Sequence, residues 1–250
     1  MSTALQTYVS RLGDNALILA QRMIEQVAAY PELEEELANA NFALDYLGQA
    51  RLFYSYAAEL EGEGRTEDDF AFLRGEREFQ NFLLLEQPVR HFGDAIVKSV
   101  LFEQYYLSLL ERLSACGEPR VAEIAARAAK EVTYHLRHNG QWLVRLGDGT
   151  EESHSRVQDS VNSFWPFTGE LFECDDVDRT FVDAHGGPNP ASLRDDWTTD
   201  IAALLADATL AMPADTWMAT GGKAGKHSES FGYLLAEMQY LQRSHPGAAW

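Results

Sequence analysis

The seven histidines of this chain are the first residues to examine for metal chemistry. An imidazole and a carboxylate three or four residues apart project from one helix face, where both can reach one metal ion. Helical bundles that bind two irons use two Glu-x-x-His units and a Glu from each of two further helices. Only His154 has an acid three positions earlier, Glu151, and that pair follows a glycine-rich turn where acids favour the start of a helix. The chain therefore lacks the two complete units that such a centre requires.

A second arrangement places Glu131 four residues before His135, in the string KEVTYHLRH. This pair is more typical of a buried hydrogen bond than of half a metal site. Asn41, Asp45 and Gln49 also recur at four-residue intervals on an otherwise apolar helix, so we expect this stripe to face the interior. Asp45, Glu131 and His135 are therefore candidates for a degenerate metal site, and we assign no catalytic, metal-binding or cofactor-binding residue.

Asp94 and Lys98 form a further pair at four-residue spacing. The favoured interpretation is a solvated surface pair that contributes little net stability. In the alternative interpretation, Lys98 is buried and places its positive charge beside Asp45 or Glu131, where a di-iron protein would hold its metal. The sequence leaves both interpretations open.

The string TGGKAGKH at 220–227 invites comparison with the phosphate-binding P-loop. A P-loop begins with Gly, ends in Lys followed by Ser or Thr, and follows a strand. Here the first position is Thr220, the last is His227 and no strand is predicted before the segment, so we reject that interpretation. We expect instead a flexible basic loop in which Lys223 and Lys226 contact an anion or an acidic partner.

The elements that carry these residues are predicted to be helical almost throughout. Apolar residues recur every three or four positions, and no run alternates apolar and polar residues between hairpin turns. Breaks at proline and glycine divide the pattern into predicted helices at 12–27, 32–61, 66–85, 94–115, 119–147, 151 onward, 192–210 and 231–241. Such long helices indicate an all-α, up-and-down bundle with additional helices. We predict one domain over 1–250, with an irregular connector at 173–190 and a C-terminal loop and helix at 220–250.

Composition limits the classes of function. The 250 residues include 20 Lys and Arg against 39 Asp and Glu, a formal net charge of −19. Such a chain lacks the basic surface that nucleic acids require and repels anionic lipid headgroups, so we predict no nucleic-acid and no membrane partner. A hydrophobic content of 46% excludes a disordered chain. Two cysteines cannot form a disulfide framework, and no signal peptide or membrane span is visible, so we expect a cytoplasmic protein.

Several longer strings resemble a known family. They are RLGDNALILAQR (11–22), LGQARLFYSYAAELEGEG (47–64), KEVTYHLRHNGQWLVRLGDGT (130–150), FTGELF (167–172) and TGGKAGKHSESFGYLLAEMQYLQRSHPGAAW (220–250). They resemble the PaaC-type subunits of bacterial phenylacetyl-CoA epoxidase, also called phenylacetate-CoA oxygenase. The likeness runs from the first helix to the last residue, and the closing segment is its most specific part.

The resemblance implies a ferritin-like helical fold and a place in a multicomponent monooxygenase. In that system a homologous catalytic subunit holds the di-iron centre, binds phenylacetyl-CoA and inserts one oxygen atom to form a ring epoxide. A small subunit and a reductase with flavin and an iron–sulfur cluster complete it, with electrons from NADPH. The C-type subunit is a structural partner with a degenerate metal site, so the resemblance implies no cofactor in this chain.

Two other functions remain as alternatives. One is a ferritin-like metal-binding oxidoreductase that acts alone, suggested by Asp45, Glu131 and His135. The other is a module that binds a small anion or a CoA ester through Lys223 and Lys226. We also expect that the isolated chain can self-associate, because a surface built for a homologous helical partner can pair with itself.

Overall fold

The structure, a computed structural model, describes residues 3–214 and 217–248. Its α-helices are α1 (Ala4–Ile24), α2 (Leu33–Glu61), α3 (Glu67–Phe72), α4 (Leu83–Glu86), α5 (Phe92–Leu113), α6 (Pro119–Gly147), α7 (Glu151–Phe164), α8 (Asp176–His185), α9 (Arg194–Asp207), α10 (Glu229–Met238) and α11 (Tyr240–Ser244). Short 3-10 turns join several of them, and the described residues contain no strand. The all-α prediction is confirmed. None of the described helices is long and apolar enough to cross a membrane.

Four long helices form the bundle. Helix α1 packs along α2, α5 packs along α6, and the two pairs meet where α2 contacts α6. The short connections within each pair make its helices antiparallel. Sixteen of the 21 residues of α1 and sixteen of the 22 residues of α5 are buried, against ten of 29 in each of α2 and α6. Helices α1 and α5 therefore lie inside the molecule, and α2 and α6 present outer faces.

The additional helices cover α1 and α5. Helix α8 packs on α1, where the rings of Tyr8 and Phe181 stack with centroids 4.0 Å apart. Helices α7 and α9 pack on α5 and α6, and the Trp197 indole donates a 3.0 Å hydrogen bond to the carbonyl oxygen of Leu101. A buried indole needs such an acceptor, so this bond fixes α9 against α5.

The predicted helix at 66–85 is wrong in its second half. Helix α3 ends at Phe72, and the chain then runs through a 3-10 turn and an extended stretch to α4. Two side chains of α1 accept hydrogen bonds from backbone amides of this stretch. Asp14 Oδ2 accepts from Gln80 N at 2.8 Å, and Asn15 Oδ1 accepts from Phe82 N at 2.8 Å. The backbone is thus satisfied without a helix, an outcome that local periodicity cannot reveal.

The predicted irregular connector at 173–190 contains helix α8 instead. The Asp175 side chain accepts from Val177 N and Asp178 N at 3.0 Å each, which caps the helix start. Gly186 ends the helix in a left-handed conformation with φ 62°. The C-terminal region at 220–250 is a loop followed by α10 and α11, and residues 249–250 lie outside the described residues.

Candidate functional site

The three metal-site candidates come together between α2 and α6. His135 Nε2 lies 2.9 Å from Asp45 Oδ2, and the imidazole is fully buried while the Asp45 side chain is 43% exposed. Glu131 accepts a 3.0 Å hydrogen bond from Gln49 Nε2 and a 3.2 Å bond from Arg127 Nε. The expected hydrogen bond between Glu131 and His135 is therefore wrong. Each of the two side chains has a different partner.

The expected inward stripe on α2 is only partly correct. Gln49 is buried and also accepts a 3.2 Å hydrogen bond from the Tyr106 hydroxyl of α5. Asn41 is exposed and donates to the Leu37 carbonyl oxygen one turn earlier. Asp45 lies between these two environments, because residues four apart drift around a helix with 3.6 residues per turn.

A carboxylate that the sequence analysis missed lies at the centre of this region. Glu103 of α5 is completely buried, and its oxygens accept hydrogen bonds from Asn139 Nδ2 at 2.8 and 3.1 Å and from the Tyr46 hydroxyl at 3.0 Å. Burial raises the pKa of Glu103 to about 7, although these bonds oppose the shift. No histidine lies three or four residues from Glu103 in the sequence, so only the approach of α2 and α6 reveals its environment.

His135 is held as a neutral imidazole. Burial lowers its pKa, and the bond to Asp45 only partly opposes that effect. A neutral ring that donates its Nε2 proton to Asp45 leaves Nδ1 as an acceptor, and Nδ1 is buried without a hydrogen-bond partner. The ring packs beside Phe42 and Tyr46, at centroid distances of 4.2 and 5.2 Å.

The TGGKAGKH segment is anchored, in contrast to the flexible loop expected. Lys223 is buried, donates to the Glu173 carbonyl oxygen at 2.9 Å and forms an ion pair with Asp178. An anion therefore has no access to its ammonium group, and the expected role of Lys223 in anion binding is wrong. Lys226 remains exposed.

The glycines of this segment bond to a buried carboxylate. Glu170 accepts hydrogen bonds from Gly221 N at 2.8 Å, Gly222 N at 2.6 Å and Leu83 N at 2.8 Å. A Cβ on Gly222 would overlap the backbone carbonyl oxygen of Asn81. Only glycine fits this close approach between two chain segments.

His227 anchors the end of the same segment through two hydrogen bonds. Its Nδ1 lies 2.9 Å from Glu86 and its Nε2 lies 3.0 Å from the Phe79 carbonyl oxygen, so an imidazolium donates at both nitrogens. Burial acts against the charged form, yet the contact with Glu86 raises the pKa of His227 above its ordinary value. Glu86 also accepts from Ser228 N at 2.6 Å. We call residues 221–228 with their buried anchors Glu86, Glu170 and Asp178 the C-terminal clasp.

Comparisons with known proteins identify the family of this chain. The profile of a family described as phenylacetic acid catabolic protein matches residues 1–250. The chain belongs to this family. It is also 47% identical, over 246 residues, to the C-type subunit of the 1,2-phenylacetyl-CoA epoxidase of Escherichia coli (strain K12), a match that covers 98% of this chain and 99% of that relative. The predicted resemblance is confirmed, and the bundle is the ferritin-like helical fold of the phenylacetic acid catabolic family.

The carboxylates and the imidazole in the bundle interior do not fit the di-iron centre that the fold of the phenylacetic acid catabolic family implies. The Glu103 carboxylate accepts from Asn139 and Tyr46, Glu131 accepts from Gln49 and Arg127, and Asp45 contacts His135. Within the described residues, no group of three or more His, Cys, Asp or Glu side chains is arranged to hold a metal ion. The arrangement instead links α2, α5 and α6 through buried hydrogen bonds.

Glu151 and His154 do not form a ligand pair in this member of the phenylacetic acid catabolic family. His154 Nδ1 lies 2.7 Å from the Gly147 carbonyl oxygen, so its ring joins the end of α6 to the start of α7. Glu151 is exposed in the first turn of α7.

The surface-pair interpretation of Lys98 is wrong, and of the alternative only the burial of Lys98 is correct. The side chain is buried, and Nζ donates a 3.0 Å hydrogen bond to the Gln87 carbonyl oxygen. Its charged neighbours are Arg22, Glu25 and Asp94 rather than the candidate metal residues. Burial lowers the pKa of Lys98 to about 7. Lys98 therefore stabilises the segment after α4 and does not replace a metal.

Proposed function

We propose that this chain is a non-catalytic structural subunit of a 1,2-phenylacetyl-CoA epoxidase complex. It pairs with the homologous catalytic subunit, which epoxidises the ring of phenylacetyl-CoA in aerobic phenylacetate degradation. The observation that carries the proposal is the state of the interior carboxylates, whose oxygens are bound by protein donors instead of converging on a metal position. The 47% identity to the C-type subunit of such an epoxidase supports the same assignment.

The interior of the bundle suits a structural subunit. A buried polar network in which nearly every member has a partner favours one arrangement of the helices, because any other arrangement leaves polar groups unsatisfied. Glu103 and Asn139 join α5 to α6, and Gln49 joins α2 to both. A rigid subunit of this kind holds the geometry of the catalytic partner constant.

The cofactors of the complex belong to other subunits in this proposal. The catalytic subunit holds the di-iron centre, and the reductase holds the flavin and the iron–sulfur cluster. In this proposal, this chain holds none of them and acts in the cytoplasm.

The alternative function is an independent metal-binding oxidoreductase. It is favoured by one observation, the proximity of Asp45, Glu131 and His135 with an unpartnered imidazole nitrogen. The Arg127 guanidinium beside Glu131 opposes it, because a fixed positive charge disfavours a cation nearby.

Substitution in the interior network separates the two functions. We expect Glu131→Gln and Asp45→Asn to leave the epoxidation rate of the complex, reconstituted with catalytic subunit and reductase, within about twofold of wild type. If Glu131 or Asp45 takes part in catalysis, the rate falls by roughly a hundredfold or more. Arg120→Gln, a change at a half-exposed position of α6, serves as the control for assembly and handling.

A further inference from the structure

We propose that His227 is a pH-sensitive switch for the C-terminal helices. While both nitrogens of its imidazole carry protons, His227 holds α10 and α11 on the bundle, and the loss of one proton allows these helices to open. The switch acts within a single chain and is independent of the proposed function. We call residues 229–248, which contain both helices, the C-terminal arm.

Both ring nitrogens of His227 face oxygen atoms that accept hydrogen bonds. Nδ1 lies 2.9 Å from Glu86 Oε2, and Nε2 lies 3.0 Å from the carbonyl oxygen of Phe79. An ionised carboxylate and a carbonyl oxygen can only accept, and an imidazolium donates to both, whereas a neutral imidazole has a single N–H. The loss of one proton therefore leaves a nitrogen lone pair directed at an oxygen lone pair.

The imidazole is shielded from bulk solvent, which makes this mismatch costly. The side chains of His227 and Glu86 are both 0% exposed. One face of the ring stacks on Phe231 with centroids 4.0 Å apart, and Phe231 in turn contacts the Phe79 ring at 5.7 Å. A buried polar atom that loses its partner destabilises the conformation that buries it. Deprotonation of His227 therefore favours a conformation in which the ring reaches solvent.

Charged groups on several elements face this buried pair. Glu86 of α4 contacts the ring, and Glu76 of the 3-10 turn at 76–78 adds a second negative charge that favours the proton. Arg22 of α1 donates to the Glu86 carbonyl oxygen at 2.7 Å and is paired with Glu25 at 2.8 Å. The neighbouring segments also carry Asp14 with Arg74, Arg77, Glu78, Lys98, Glu170, Lys226 and Glu229. Burial opposes the charged ring, yet the contact with Glu86 raises the pKa of His227 above its ordinary value.

The raised pKa determines the direction of the switch. A free histidine titrates near pH 6.5, and the folded protein keeps the His227 proton to a higher pH. The stabilisation of the closed arm is therefore complete below about pH 6.5 and is lost as the pH rises through the pKa of the folded protein. A rise in pH opens the arm, and acid closes it.

His227 lies directly before α10, where its contacts affect the start of that helix. The amide of Ser228, the residue that precedes α10, donates to Glu86 Oε1 at 2.6 Å. The Ser230 hydroxyl donates to the Glu86 carbonyl oxygen at 3.3 Å. One glutamate thus holds both the imidazole and the first turn of α10, so displacement of the ring from Glu86 also weakens the anchoring of the helix.

The rest of the C-terminal arm has few anchors. Its buried residues are Phe231, Leu234, Leu235 and Gln239. Gln239, at the far end of α10, donates to the Ala71 carbonyl oxygen at 3.0 Å. A helix of ten residues is marginal in water without tertiary contacts. The loss of the His227 contacts therefore shifts the arm toward open conformations while the four long helices stay folded.

Hydrogen exchange of the full-length chain, followed by mass spectrometry at about pH 6 and about pH 8.5, tests the switch. Protection factors, which correct for the intrinsic pH dependence of exchange, are compared between the arm and α5. We expect the protection factor of the α10 amides in wild type to fall by roughly three- to tenfold over this range, since one unit of pKa shift is a factor of ten. In His227→Gln, whose side chain does not titrate, this factor should not change with pH. His138→Gln is the matched control, because His138 Nε2 also lies 2.9 Å from a carboxylate, that of Glu35, but belongs to α6.

A second measurement uses wild type alone, so it does not depend on the folding of a variant. In NMR spectra of histidine-labelled protein, the His227 ring should titrate above pH 6.5, over the same range in which the arm loses protection. This agreement, with a wild-type pH profile in His138→Gln, supports the switch. Four results overturn it: protection of α10 that is independent of pH in wild type, a pH-dependent loss that persists in His227→Gln, loss of the dependence in His138→Gln, or a ring that titrates below pH 6.5.

Discussion

At the scale of single residues, the interior carboxylates differ from metal ligands in what binds them. Asp14 forms a buried ion pair with Arg74 and accepts from the Tyr54 hydroxyl at 2.7 Å. Glu103 has only neutral donors, Asn139 and Tyr46. The first carboxylate is paired with a fixed positive charge, whereas the second is stabilised in its protonated form by burial.

The environment of Glu103 predicts a specific pH dependence. Its pKa of about 7 lies above the ordinary value near 4.3, so the folded state keeps its proton to a higher pH than the unfolded chain. Stability is therefore lost as the pH rises between these values. Glu103→Gln removes this loss. We therefore expect the difference in unfolding free energy, variant minus wild type, to increase by on the order of 3 kcal/mol from about pH 4 to about pH 8.

Urea unfolding at a series of pH values measures this difference. Glu123→Gln is the control, because Glu123 is largely exposed and its substitution should give a difference that does not vary with pH. If the difference in unfolding free energy between Glu103→Gln and wild type did not change with pH, Glu103 would be ionised in the folded protein.

At the scale of elements, local signals predicted some boundaries and missed others. Helix α6 begins at Pro119 and ends at Gly147 as predicted, because proline favours a first turn and the helix is strongly amphipathic. Helix α8 was missed, although Asp175 and Gly186 are ordinary caps, because acidic residues obscured the apolar spacing of Val177 and Phe181. The helix predicted through 85 failed because α1 supplies the acceptors for that backbone.

The C-terminal clasp shows why a short motif can be recognised without its role being understood. The sequence singled out TGGKAGKH, but its lysines suggested an anion and its glycines suggested flexibility. Its partners Glu86, Glu170 and Asp178 lie between 45 and 142 residues away along the chain, so only the fold reveals that they hold the segment.

Gly222→Ala tests the clasp. The new Cβ overlaps the Asn81 carbonyl oxygen, a backbone atom that cannot move alone, so we expect a loss of at least about 2 kcal/mol in unfolding free energy and faster proteolysis near the C-terminus. Gly232→Ala in α10 is the matched control. Its Cβ meets only the end of the Glu76 side chain at 3.5 Å, and alanine favours a helix by about 0.5–1 kcal/mol. Equal stability of the two variants would contradict the role of the clasp.

At the scale of the whole molecule, charge is distributed unevenly. The net charge of −19 predicts no nucleic-acid partner, and within this acidic chain α6 contains five basic and two acidic residues. The sequence predicted the fold class and the family, and it singled out Asp45 and His135, which contact each other, although it paired His135 with Glu131. It did not predict Glu103 with Asn139, because that contact depends on the packing of α5 against α6.

The central claim is that this chain supports catalysis without holding the metal. The most direct measurement is the iron content of the purified chain, and separately of its complex with the catalytic subunit, after anaerobic incubation with ferrous iron and removal of the excess. We expect no stoichiometric iron in the isolated chain and iron in the complex in proportion to the catalytic subunit alone. About two irons bound per isolated chain, the content of a complete carboxylate-bridged centre, would contradict the account.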